Sequence, residues 1–107
     1  MAENTERRES VRIPMRFMVS TRDGGWEQLA GDLSINGVRL QDLSPYHFAS
    51  LVTLRFQLPE EIQPRQVNVS IKRFFVSGDH VHAAAVFDAL DFDAEVAIAR
   101  CIDAQNA

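Results

Sequence analysis

The sequence VTLRFQL, residues 52–58, alternates apolar and polar side chains without a break. Successive side chains of a β-strand point to opposite faces, so this pattern predicts a half-buried strand with Leu54 and Phe56 toward the core. Pro59 and Pro64 bracket the loop that follows, because proline cannot donate to a strand ladder. The clearest local signal in the chain is therefore a β-strand.

Further strand signals lie on both sides of this stretch. The sequences DGG at 23–25 and SGD at 77–79 are typical of turns that join neighbouring antiparallel strands. Between these turns and the prolines, short apolar segments alternate with polar residues. The predicted strands are 17–21, 26–33, 38–41, 52–58, 67–72 and 81–87.

The pattern changes period after residue 90. Asp91 or Asp93 is a candidate N-cap, and Val96, Ala99 and Ile102 recur at helical spacing. Several short antiparallel strands and one terminal helix predict a mainly β fold, a small six-stranded antiparallel barrel with the helix packed on it. We expect one domain over 1–107, with a flexible arginine-rich arm at 1–12, the barrel at 13–90 and the helix at 91–105.

Composition agrees with a single small globular domain. The chain has 107 residues, of which 46% are apolar and 24% charged. Cys101 is the only cysteine, so no disulfide within the chain is possible. The N-terminal residues lack the apolar stretch of a signal peptide, and no apolar run reaches membrane-spanning length. These features predict a cytoplasmic protein without membrane insertion.

Charge narrows the class of partner. The formal net charge is −4, whereas general DNA-binding or RNA-binding proteins usually have a basic excess. Arginine nevertheless outnumbers lysine ten to one, and five arginines lie within the first 22 residues. A guanidinium is planar and offers five donors in a fixed fork, so it suits a ligand that is both anionic and aromatic. A small anion is thus a better candidate ligand than a nucleic acid.

Two short motifs are candidates for binding such a ligand. Arg8 and Arg12, four positions apart, could grip a phosphate or stack on a flat ring. Asp32 can accept from N–H groups, Ser34 can donate or accept, and Gly37 permits a positive φ or a close backbone approach. Each motif alone has a simpler interpretation, either a solvated charged tail or a turn between strands.

In combination, Arg8-x-x-x-Arg12 followed by Asp32-x-Ser34-x-x-Gly37 resembles the two-part signature of PilZ domains, the bacterial receptors for cyclic di-GMP. The resemblance extends over nearly the whole chain and implies the same small barrel with a terminal helix. Many members have a glycine shortly before the phenylalanine that ends the last strand. Here the sequence AAA stands at 83–85 instead.

The resemblance also implies roles for the motif residues. Arg8 and Arg12 are expected to contact the phosphates and to stack on or hydrogen-bond guanine. Asp32 and Ser34 are expected to hydrogen-bond guanine edges from the barrel surface, and Gly37 to let the backbone approach. The ligand would then be cyclic di-GMP, with no other cofactor.

Arg7 immediately precedes the first motif arginine, and in the family an arginine there accompanies binding of a stacked pair of ligands. The arm is expected to be loose without ligand and to close over the barrel when ligand binds, which changes a surface for an unidentified effector protein. The sequence does not identify the process that this effector controls.

Other chemistry has less support in the sequence. His80 and His82 would share a face of a strand, but no third ligand stands nearby, so no metal site is predicted. Cys101 lies in an apolar helical pattern with acidic neighbours and is interpreted as a packing residue. No catalytic triad, phosphate loop or paired carboxylates stand out, so an enzyme is not expected.

Two alternatives to the receptor stay open. One is a PilZ-fold adaptor that contacts proteins but binds no nucleotide. The other is a small-barrel binder of single-stranded RNA, which would need a positive groove and aromatic platforms. The negative net charge and an aromatic content of 8% argue against the RNA binder.

Overall fold

The computed structural model describes residues 11–106, and these form a closed antiparallel barrel of six strands followed by one helix. The order around the barrel is β1-β2-β3-β6-β5-β4, and β4 pairs with β1 to close it. This confirms the fold class predicted from the sequence. The elements are β1 (Ile13–Ser20), β2 (Trp26–Leu33), β3 (Gly37–Gln41), β4 (Leu51–Phe56), β5 (Arg65–Ser77), β6 (His80–Asp88) and α1 (Phe92–Asn106).

The core fills the inside of the barrel. Phe17 from β1 and Phe56 from β4 meet edge to face, with ring centroids 5.5 Å apart, an arrangement that aromatic quadrupoles favour. Ile98 and Ile102 from α1 belong to the same buried cluster. Every strand thus contributes buried residues to a single core.

Strand β1 begins four residues earlier than predicted and includes Pro14. Pro14 lies opposite Asp32 of β2, whereas the described pairing of β1 with β4 involves only Met18 and Val19. The missing proline amide is tolerated because the start of β1 is paired on one side, as at a sheet edge.

Strands β5 and β6 extend past the barrel as a two-stranded hairpin. Pairing with β4 covers β5 only from Arg65 to Ser70, while pairing with β6 continues to Ser77. The register shifts between Ile71 and Arg73, which breaks the alternation that the sequence pattern relies on. The predicted strand, which ended at residue 72, was therefore too short.

Helix α1 follows a side-chain cap. The amide of Ala94 donates to Asp91 Oδ1 at 2.8 Å, so Asp91 is the N-cap among the two candidates. The most buried positions are Ala94, Ile98 and Ile102, whereas the predicted Val96 and Ala99 are only half-buried. The helical period was right, but the buried stripe is centred on Ile98.

Replacing Asp91 by alanine is expected to destabilise the protein by about 1 kcal/mol, the usual loss for a helix N-cap. Urea unfolding followed by circular dichroism would measure this difference. Glu95→Ala, an exposed change in the same first turn, should lose only a few tenths of a kcal/mol through the helix dipole. Equal losses in the two variants would contradict the cap.

Candidate functional site

Asp32 lies on the outer face of the barrel near the end of β2. Its strand neighbours are Pro14 on β1 and Arg39 on β3. Arg39 Nε donates to Asp32 Oδ2 at 2.9 Å, and Arg39 Nη2 donates to the same oxygen. The two side chains are half-buried, at 16% exposure for Asp32 and 34% for Arg39. The structure therefore places a carboxylate and a guanidinium side by side on an accessible face.

Arg39 was not among the residues singled out from the sequence. The signal was present, because the Ser34–Gly37 turn makes β2 and β3 a hairpin, and cross-strand pairing then sets Arg39 opposite Asp32. Counting two residues outward from each end of the turn would have identified the pair.

Ser34 holds the turn between β2 and β3. Its amide donates to the Gly37 carbonyl at 2.8 Å, and its hydroxyl donates to the same oxygen at 3.1 Å. The side chain is buried, with 6% exposure. The hydroxyl proton is therefore used inside the turn, and only its lone pairs remain for another partner. The guanine contact expected of Ser34 stays a prediction.

Gly37 is required by packing against β6. Its φ lies outside the positive region, and a Cβ built there would lie 2.0 Å from the Ala85 carbonyl oxygen and 2.8 Å from Val86 Cα. Of the two uses that the sequence suggested for this glycine, close backbone approach is the one observed, and the approaching backbone belongs to β6. An approach to ligand stays a prediction.

Arg12 is exposed and lies one residue before β1. Because Ile13 is opposite Leu33 and Pro14 is opposite Asp32, Arg12 lies at the end of the barrel that contains Asp32 and the Ser34 turn. Arg7 and Arg8 lie outside the described residues. The structure thus brings together the second arginine of the first motif and the whole of the second motif.

A family model for the PilZ domain matches residues 6–104, nearly the whole chain. The chain belongs to the PilZ domain family. Members of this family are binding or adaptor domains, which either bind cyclic di-GMP or use the fold for protein contacts. Neither a curated protein nor a solved structure is significantly similar to the chain.

The outer face beside Asp32 in this PilZ domain has further aromatic and basic groups. His82 stacks on Phe75 with centroids 5.4 Å apart, and Arg73 lies over the same Phe75 ring at 4.9 Å. His80 Nδ1 is 3.2 Å from Asp42 Oδ1. No group of three or more histidine, cysteine or acidic residues within 11–106 could hold a metal ion.

A depression on the described surface of the PilZ domain lies away from Asp32. It has a volume of about 660 Å³ and is lined by the 60–67 loop and the start of α1. Its arginine, Arg65, is already bound by Glu61 at 2.7 Å and by Asp93 at 2.9 Å. These carboxylates raise the pKa of Arg65 through hydrogen bonds. An acidic depression of this kind is a poor site for an anion.

Cys101 packs from α1 against the core and is half-buried. Burial, with the nearby charges of Glu60 and Glu61, raises the pKa of its thiol. A raised pKa keeps the sulfur protonated near neutral pH and therefore unreactive.

Within residues 11–106, the PilZ domain also has no helix long and apolar enough to cross a bilayer.

Proposed function

We propose that this PilZ domain is a receptor for cyclic di-GMP whose arginine arm closes over the ligand and changes a surface that an effector protein contacts. The observation that carries this proposal is that Arg12 and Asp32 lie at the same end of the barrel, in a chain of this family. Arg7 and Arg8 precede Arg12 in the chain and would extend the same cationic surface.

The chemistry of the Asp32–Arg39 pair supports recognition of a guanine edge. Both contacts from Arg39 go to Oδ2 of Asp32, and within the described residues Oδ1 is left as an acceptor. A guanine presents adjacent N–H donors on one edge, and a carboxylate is an acceptor only. Arg39 holds the carboxylate in place, which reduces the entropy lost when a ligand binds.

In this proposal the arm, residues 1–12, binds the phosphates. Arginine forms short, charge-assisted hydrogen bonds with phosphate oxygens and is often bidentate. Arg12 is exposed and forms no ion pair with residues 11–106. Its guanidinium is therefore available to an anion that arrives beside Asp32.

A second candidate function is an adaptor that binds no nucleotide. It is favoured because two motif side chains already have hydrogen-bond partners within the barrel. Asp32 is paired with Arg39, and the Ser34 hydroxyl donates within its own turn. In an adaptor these residues would stabilise the barrel and would not contact a nucleotide.

Calorimetric titration of cyclic di-GMP into the full chain would separate the two candidates, with cyclic di-AMP and GMP as controls. Selective binding with two ligands per chain would support the receptor and the role given to Arg7. Selective binding of one ligand would support the receptor without that role. No binding by a folded chain would favour the adaptor.

Limited trypsin digestion would test closure of the arm. Trypsin cleaves after arginine, so each motif arginine reports on its own accessibility. Cyclic di-GMP should slow cleavage after Arg7, Arg8 and Arg12 and leave cleavage after the exposed Arg100 unchanged. Equal cleavage of the arm with and without bound ligand would contradict closure.

A further inference from the structure

The strand register continues the row of outward-facing residues that begins at Asp32. Arg39 on β3 lies opposite Ala84 on β6, and Ala84 lies opposite Arg73 on β5. Two strand spacings separate the two arginine backbones, about 10 Å. The residue between them ends at its Cβ. The outer face is therefore low at Ala84, between two long cationic side chains, and we call this low surface the floor.

The floor continues along β6. Val86 is two residues from Ala84, so it lies on the same face, and it is 39% exposed. A flat aromatic ring can lie on small apolar side chains of this kind and make van der Waals contact with them. Because the surface is open rather than a cavity, a ring that lies on it keeps its outer face in water unless a side chain covers that face.

Arg73 lies opposite Ala84 and can supply that cover when its side chain turns toward β6. Its guanidinium lies over the Phe75 ring at 4.9 Å, and Phe75 is in turn stacked on His82. No carboxylate of residues 11–106 forms an ion pair with Arg73. Phe75 lies on the side of Ala84 away from Val86, so the guanidinium must leave Phe75 to cover a ring on the floor. Arg73 is a planar cation that is not neutralised by an acid, which suits stacking on a nucleobase.

We infer that a guanine ring of cyclic di-GMP lies on Ala84 and Val86 beside Asp32, and that Arg73 stacks on the outer side of this ring. The inference rests on the proposed function and assigns a further pair of specificity-determining positions to the same site. A small residue is needed at 84 to admit the ring. A planar cation is needed at 73 to cover it.

Titration calorimetry on variants tests this arrangement. Arg73→Ala should weaken cyclic di-GMP binding by about tenfold, the order expected when one base loses a stacking partner. Arg73→Lys should lose nearly as much, because it keeps the charge but not the plane. Arg100→Ala, which removes an exposed arginine from α1, is the matched control and should bind as wild type does.

The floor has its own test. Ala84→Leu should weaken binding at least as much as Arg73→Ala, while Ala84→Gly should bind nearly as wild type does. Circular dichroism and thermal unfolding would show that each variant is folded. In wild type, NMR should show an upfield shift of the Ala84 methyl on ligand binding, because an aromatic ring above a methyl shields it. The buried Ala94 methyl of α1 should not move.

The outcomes separate this inference from the proposed function. Wild-type affinity in Arg73→Ala and Ala84→Leu, with no shift of the Ala84 methyl, would overturn the inference and leave the receptor standing. Wild-type affinity in Arg73→Lys would overturn stacking, since charge alone would then be sufficient. A folded wild-type chain that binds no cyclic di-GMP would overturn both proposals together.

Discussion

Arg12→Ala is expected to weaken cyclic di-GMP binding by about 2–3 kcal/mol, the loss typical of a charged hydrogen bond whose partner is left unpaired. That free energy corresponds to a roughly 30- to 150-fold increase in Kd. The physical reason is that Arg12 is an exposed guanidinium at the end of the barrel where Asp32 lies. Isothermal titration calorimetry of wild type and variant would measure the change.

Arg22→Ala is a matched control for this experiment. Arg22 is also exposed and follows β1, whereas Arg12 precedes it, so an entire strand separates the two side chains. The control should keep wild-type affinity. A similar loss in both variants would indicate general attraction of an anion to positive charge, and undiminished binding by Arg12→Ala would remove Arg12 from the site. Arg12→Ala should leave the free energy of unfolding almost unchanged, because the side chain is exposed.

Gly37→Ala is expected to destabilise the barrel by about 3 kcal/mol or more, at or beyond the usual range for overpacking. The added Cβ would lie 2.0 Å from the Ala85 carbonyl oxygen and 2.8 Å from Val86 Cα. Both are backbone atoms, which cannot rotate out of the way as a side chain can. Relief requires β3 to move away from β6, and the ladder between these strands is part of the barrel closure. Urea unfolding followed by circular dichroism would measure the loss.

Gly24→Ala provides the comparison. Gly24 has a φ of 89°, but nothing lies within 4 Å of a Cβ built there. Its substitution should therefore cost only the conformational penalty of a left-handed residue, about 1–2 kcal/mol. If the two variants lost the same free energy, close packing against β6 would not be the reason for Gly37. If Gly37→Ala also lost ligand binding, we would attribute that loss to the disturbed barrel and not to a missing contact with the ligand.

The sequence predicted most of the fold because the decisive signals are local. Alternation places the strands, Gly24 and Gly78 adopt positive φ in the predicted turns, and Asp91 caps the predicted helix. The misses occurred where tertiary pairing overrides local pattern. Pro14 is accepted within β1 because the start of that strand is paired on one side, and β5 continues through a register shift at residue 72.

The candidate site was predicted only in part. The motif residues Arg12, Asp32, Ser34 and Gly37 do converge at one end of the barrel, which their separation in the chain does not require. Their individual environments were not predictable. Ser34 is buried in its own turn, and Gly37 is required by β6. A motif identifies residue types, but burial and hydrogen-bond partners depend on which strands become neighbours.

By itself the sequence determined the strands, the turns, the terminal helix and the family, because period, turn chemistry and motif spacing depend only on residues close together in the chain. Tertiary structure alone decided that Ala84 and Arg73 continue the row that Asp32 and Arg39 begin. That row crosses from β3 to β6 to β5, and β3 and β6 are not consecutive in the chain. Barrel closure fixes their register, because a slip of one residue would turn the apolar side chains of a strand out of the core.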